Sequence, residues 1–200
     1  AWEKRTESGL TQSIEFFLHS IEKDPGYALP YARLADSYAV LSSYSIMSPA
    51  DSFPRARAAA RKALEIDDSL AQAHATLGIA FMNYDRDWPS AESEYKKAIA
   101  LDPNYATAHH WYGLLLTAHG RFDEALAELR RAREFDPFSA IIQGNTCRLF
   151  IYARQYDRAI EEGRKAVEID PNLFVGHNFF SLAYAAKKMT REAIAESQTA

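Results

Sequence analysis

Packing positions along the chain recur with a helical period. Between Asn104 and Pro137, His109, Tyr112, Gly113 and Leu116 stand at i, i+3, i+4 and i+7, one face of a 3.6-residue repeat. His119-Gly120-Arg121-Phe122 follows, and a glycine just past a helix end can take the left-handed conformation that closes it. Ala125, Leu129 and Ala132 then mark a second helical face. Asp136-Pro137 ends it, because the residue before a proline is pushed out of the helical region. Neither helix can bury its stripe alone. The pattern therefore predicts a helical hairpin that packs on neighbours.

The neighbours are copies of it. The Asp-Pro stop recurs at Asp24-Pro25, Asp102-Pro103, Asp136-Pro137 and Asp170-Pro171, and Ile66-Asp67-Asp68 holds the same place without the proline. From Pro25 the intervals are 43 to Asp68, then 35, 34 and 34 to the next prolines. The columns keep the register. A tight slot on the first helix of each hairpin reads Ala35, Gly78, Gly113, Cys147, Ser181. Two slots on the second helix read Ala56, Ala91, Ala125, Ala159, Ala193 and Ala63, Ala98, Ala132, Ala166, Ala200. An aromatic or aliphatic slot reads Tyr38, Phe81, Leu116, Phe150, Tyr184.

A helix-turn-helix unit with a period of 34 resembles the tetratricopeptide repeat. That resemblance covers essentially the whole chain. It implies an all-α, right-handed solenoid of antiparallel helix pairs, a superhelix whose first helices line the concave side. Residues 1–200 are then a single array, because each unit touches only its neighbours. The expected divisions are a partial repeat at 1–27, a repeat with a long turn at 28–70, repeats at 71–105, 106–139 and 140–173, and a truncated repeat at 174–200. Ala1 to Thr6, with Trp2 as packing residue, is expected to be the tail of a first helix, so the chain reads as a piece of a longer protein.

Irregular places carry their own expectations. The turn at 42–52 is nine residues longer than the period, and Pro54 is expected at the first position of the next helix. A lengthened surface loop costs little, yet Ile46 and Met47 are apolar for a solvated loop. One extra residue falls near Tyr84 to Pro89. Gly163 stands where Ala60, Tyr95 and Leu129 hold the column, so a vacancy is expected against the following repeat, with Phe174, Phe179 and Phe180 available to lean into it.

Composition narrows the function classes. The net charge is -4, with Lys and Arg spread among Asp and Glu, which argues against a nucleic-acid surface. No apolar run approaches the ~20 residues of a membrane span. One cysteine excludes an internal disulfide. A cytoplasmic location is expected, the alternative being the extracytoplasmic part of a membrane regulator. Segments such as Trp2-Glu3-Lys4-Arg5-Thr6, Tyr31 to Tyr38 and Ala108-His109-His110-Trp111-Tyr112 are similar to repeat regions of bacterial multidomain regulators. Those link such repeats to winged-helix, kinase or cyclase domains.

Catalytic and metal chemistry find no constellation. His74, His109 and His177 share one column with Tyr31 and Gln143. Packed helices lie ~8–10 Å apart, whereas Zn–N bonds are ~2.0–2.1 Å, so one ion cannot take all three. They are expected to be packing residues with a polar edge. Cys147 fills the small slot, and Glu92, Glu94, Glu161 and Glu162 are expected on an outer, solvated face of second helices. No enzyme, catalytic residue, metal or cofactor is expected.

The concave face remains. By phase, the positions off the packing stripe include Asp36, Gln72, Ile79, Met82 and Asn83, then His110 and Leu114. They continue with Arg148, Ile151, Tyr152, Asn178 and Leu182. Only Asp36 and Arg148 among them carry charge, and Ile79, Met82, Leu114, Ile151, Tyr152 and Leu182 form an apolar track rimmed by polar groups, which marks a binding surface. Chaperone-tail-binding members of the resembled family clamp a terminal carboxylate with Lys and Asn. Ala32, Ala75, His110 and Gly144 hold the matching lysine positions, so that ligand class is not expected. The expected function is a non-catalytic protein–protein scaffold taking a peptide or helix in this groove. The rival is self-association, a homodimer through exposed end helices, or a regulatory module of a larger protein.

Overall fold

A computed structural model describes residues 7–43 and 46–199. The expected helix tail with Trp2, the Tyr44-Ser45 part of the long turn and Ala200 lie outside the described residues. All regular structure among the described residues is helical. It comprises α1 (Glu7–Lys23), α2 (Ala28–Ser43), α3 (Pro49–Ile66), α4 (Ala71–Ala80), α5 (Trp88–Leu101) and α6 (Ala106–Ala118). It continues with α7 (Phe122–Phe135), α8 (Ala140–Tyr152), α9 (Tyr156–Ile169), α10 (Phe174–Ala186) and α11 (Thr190–Thr199). The pairs α2/α3, α4/α5, α6/α7, α8/α9 and α10/α11 are the hairpins that the 34-residue period predicts.

Two devices repeat. At the end of each second helix an aspartate turns the chain. Asp24, Asp67, Asp102 and Asp170 each accept, through Oδ1, the backbone N–H two residues on, at 3.0 Å. This side-chain mimic of a backbone turn explains why Asp67 keeps its place without a proline. Ser69 holds its carboxyl below the usual carboxylate range. The second device closes the first helices of the last four hairpins. Arg86, Gly120, Arg154 and Lys188, one repeat apart, all have positive φ between 56° and 72°. Glycine is at ease there, whereas an L side chain is strained by ~1–2 kcal/mol. Nothing lies within 4 Å of where a Gly120 Cβ would sit. Gly120→Ala should therefore lower stability by about 1 kcal/mol through the backbone alone, and an unchanged urea midpoint would refute that account.

The chain forms two compact units, Ala1–Ala108 and His109–Ala200. In the first, Leu34, Ala35, Ala59, Ala60, Ala63, Ala73 and Leu77 make one buried cluster across α2, α3 and α4. Tyr95 of α5 is fully buried, and a Cβ on Gly78 would come within 2.6 Å of its ring. Large on one helix therefore requires nothing on the other. In the second unit Leu129 packs against Gly113 in the same way, the hypothetical Cβ lying 2.9 Å from Leu129 Cγ.

Three sequence expectations change here. First, α3 begins at Pro49, not Pro54, which lies inside the helix. Ser48 caps it by accepting from the Asp51 N–H, and a capping serine followed by proline at the first position is the stronger start signal. Four of the extra residues thus extend α3 to 18 residues, against 14 in α5. Met47 packs against the buried Leu10, Val40 and Leu41, which accounts for an apolar residue in the turn. Second, the extra residue near Tyr84 is absorbed as a π-helical turn, Phe81–Asp85, followed by left-handed Arg86. Arg57 of α3 pairs with Asp85 there. Third, the vacancy expected at Gly163 is filled: a Cβ there would meet the Phe180 ring at 2.7 Å. The small pair Cys147 and Gly163 leaves room in its own hairpin, and the next first helix supplies the ring.

Candidate functional site

The first helices are apolar nearly all round, whereas second helices such as α7 and α9 have one buried and one charged face. The cause is their surroundings. A second helix such as α9 packs mainly on first helices, but α2 packs on α1, α3 and α4. A helix with three neighbours buries more than one stripe.

That geometry sorts the twelve candidate residues. Asp36, Ile79 and His110 are only 1%, 3% and 5% exposed. They do not line an open face: they sit where further helices pack, beyond the hairpin stripe. His110 shows how such a seam closes, its Nε2 accepting from Asn145 Nδ2 at 3.2 Å across α6 and α8. Gln72 and Met82 are half-buried, the Met82 sulfur 4.0 Å from the Tyr95 hydroxyl, and Asn83 is exposed on the π-helical turn.

The second unit keeps its candidates accessible. Leu114 on α6, Arg148 and Ile151 on α8 and Asn178 on α10 are half-buried. Tyr152 is 55% exposed and Leu182 47%. Leu114, Arg148 and Leu182 are one period apart and so stand at one register on three successive first helices. Gly144 and Gly176 bring α8 and α10 together, a Cβ on Gly144 lying 3.6 Å from the Gly176 Cα. The Arg148 guanidinium sits 5.4 Å from the centre of the Phe179 ring, and its Nε is buried with no hydrogen-bond partner among the described residues. Burial pulls its pKa below the ordinary arginine value. It is a cation held partly out of water, with ring carbons on one side and the half-buried Leu114 and exposed Leu182 at its register.

A second set of residues was not apparent from the sequence reading. Glu94, Glu128, Glu162 and Glu196 stand 34 residues apart, in register with the histidine column. His74 Nδ1 lies 2.6 Å from Glu94, His109 Nδ1 2.6 Å from Glu128 and His177 Nδ1 2.7 Å from Glu196. Gln143 takes the histidine place in the hairpin of α8 and α9, bonding Glu162, to which Arg133 also donates at 3.0 Å. Glu94 and Glu162 are therefore not on the outer, solvated face expected of them: each side chain is 12% exposed. The signal was present in the covariation of two columns. Where Tyr31 replaces the histidine, Ala59 replaces the glutamate.

The histidines thus bind separate carboxylates, and His109 and His110 face different helices. Among the described residues no three His, Cys, Asp or Glu side chains converge on one point. Burial, with the Glu162 charge, pushes the Cys147 thiol up to about 12, so it stays protonated. Among the described residues no helix is long and apolar enough to cross a membrane.

Residues 84–140 match the family model of the tetratricopeptide repeat. Among curated proteins none matches the chain. Solved structures share the fold. A protein described as "YrrB: a TPR protein with an unusual peptide-binding site" is 23% identical, with 92% of this chain and 89% of that one covered and a TM-score of 0.56. PilF of Pseudomonas aeruginosa is 24% identical over 82% of this chain and 74% of its own, with a TM-score of 0.66. MamA is 22% identical over 80% and 91%, with a TM-score of 0.60. The fold class is accordingly an all-α solenoid of helical hairpins, as the period predicts.

Proposed function

We propose that the chain is a non-catalytic interaction scaffold whose second unit binds an apolar peptide or helix across α6, α8 and α10. The observation that carries this reading is the exposure of Tyr152 and Leu182 around the partly dehydrated Arg148. Exposed apolar groups clustered beside one another mark a contact surface. The peptide-binding site ascribed to YrrB supports the class of ligand. The groups best suited to catalysis are engaged elsewhere: three histidines on glutamates, and the one thiol buried and protonated.

The test is selection of peptides from a random display library on the immobilised protein. The proposal expects enriched sequences carrying two or more large apolar residues. Their binding should weaken only modestly with salt, since a single half-buried cation contributes the charge. A library that yields no enriched sequence, or only acidic sequences whose binding disappears with salt, overturns it.

A further inference from the structure

The histidine–glutamate column has a feature that packing does not require. In the hairpin of α10 and α11 the His177 ring is buried, and both its nitrogens face acceptors. Nδ1 lies 2.7 Å from Glu196 Oε2, and Nε2 lies 2.9 Å from the Pro171 carbonyl oxygen. A neutral imidazole has one N–H and cannot donate to both. With Glu196 ionised, only the imidazolium satisfies the geometry. His74 in the first unit repeats it, with Nδ1 on Glu94 and Nε2 3.3 Å from the Asp68 carbonyl oxygen.

The charges around His177 have one sign. Glu196 approaches from α11 and Asp170 from the end of α9. Next to it the nearest atoms around Gly176 belong to Ala166 and Val167 of α9, to Leu173 and to Gly144 of α8, none of them titratable. At Glu94 burial works to raise the carboxyl pKa, but the hydrogen bonds from His74 and Lys97 outweigh it and hold that pKa low. The hairpin of α8 and α9 supplies the contrast. There Gln143 stands in the histidine column, and Arg133 and Lys165 are the cations on Glu162.

We propose that the His177–Glu196 imidazolium–carboxylate pair is a pH-sensitive clasp between α10 and α11, and that deprotonating His177 releases α11 from α10. This does not depend on the peptide-binding reading. Burial works to lower the His177 pKa, but the Pro171 carbonyl, Glu196 and Asp170 outweigh it and raise the value. A raised folded-state value fixes the sign. The clasp contributes fully below the unfolded value of ~6.5 and is lost as pH rises through the folded one. Each unit of difference multiplies the folding equilibrium constant by about ten. Above that pH the Nε2 lone pair faces the Pro171 oxygen, or Glu196 faces an unprotonated Nδ1.

Two measurements on the whole chain decide it. The first follows the ring nitrogens of His177 by NMR. The clasp requires both to carry protons near pH 6.5 and to titrate above that value. A neutral ring at pH 6.5 overturns it. The second compares urea midpoints at pH 6 and pH 8.5 for the parent and for His177→Gln and Glu196→Gln. The parent should lose stability on going to pH 8.5, and each variant should lose less. Equal pH dependence in parent and variants overturns the assignment. Should a variant fail to fold, the NMR titration of the parent still decides.

Discussion

Phe180→Ala is expected to cost about 3–5 kcal/mol, the range for deleting a buried aromatic ring. Phe180 is 3% exposed and stands against Gly163 of the preceding second helix, with Tyr184 stacked at 4.6 Å between ring centres. Its ring occupies space that Tyr95 and Leu129 fill from the other side in earlier hairpins. Gly163→Leu alone should also destabilise, by about 1–3 kcal/mol, because the new side chain would overlap Phe180 down to its Cβ. The double variant should recover part of the loss, the leucine entering the cavity that the ring vacated. Coupling between contacting residues is typically ~0.5–3 kcal/mol. Urea denaturation of the four proteins measures it. Strict additivity, or a gain in stability from Gly163→Leu alone, would mean that the space beside Gly163 is empty.

Leu182→Asp is the functional counterpart. Leu182 is exposed, so the change should leave helicity and the urea midpoint nearly unaltered. Burying a leucine against a ligand contributes ~1.5–3 kcal/mol, which is roughly a ten- to hundredfold change in affinity. A buried, unpaired aspartate in the complex adds to that loss. Peptides selected on the parent should therefore bind this variant at least tenfold more weakly. Leu114→Asp should act in the same direction with a larger structural cost, because Leu114 is half-buried. Unchanged affinity in Leu182→Asp places the binding surface elsewhere.

The hairpins were legible because packing imposes them residue by residue. A small slot such as Gly78 or Gly113 exists only where a large partner presses on it, and such constraints recur with the period. The turns were legible where backbone chemistry is strict, as at Gly120, and misread where two starts competed. Pro49 and Pro54 are both acceptable near a helix start, and the Ser48 hydroxyl decides between them. The vacancy at Gly163 was legible as a gap in its column, with Phe174, Phe179 and Phe180 all available to fill it. A column records what one helix lacks, not what a neighbour supplies, and Phe180 supplies it.

The site was legible in part. Phase along a helix separates the hairpin stripe from the remainder, but it does not say whether another helix covers that remainder. Tyr152, Leu182 and Arg148 stay accessible, while Asp36, Ile79 and His110 lie against neighbours. The all-round apolar character of α4 and α8 was the sign that more than one stripe is buried. The histidine–glutamate pairs escaped because each column is unremarkable by itself. Read together, their joint change to Tyr31 and Ala59 marks a contact.

The most direct test of the scaffold account is to map a selected peptide on the isotope-labelled protein by NMR. The account predicts shifts concentrated at Leu114, Arg148, Ile151, Tyr152, Asn178 and Leu182, with intermolecular contacts from peptide side chains to Tyr152 and Leu182. Contacts confined to the charged faces of α9 and α11, with the first helices unperturbed, would contradict it.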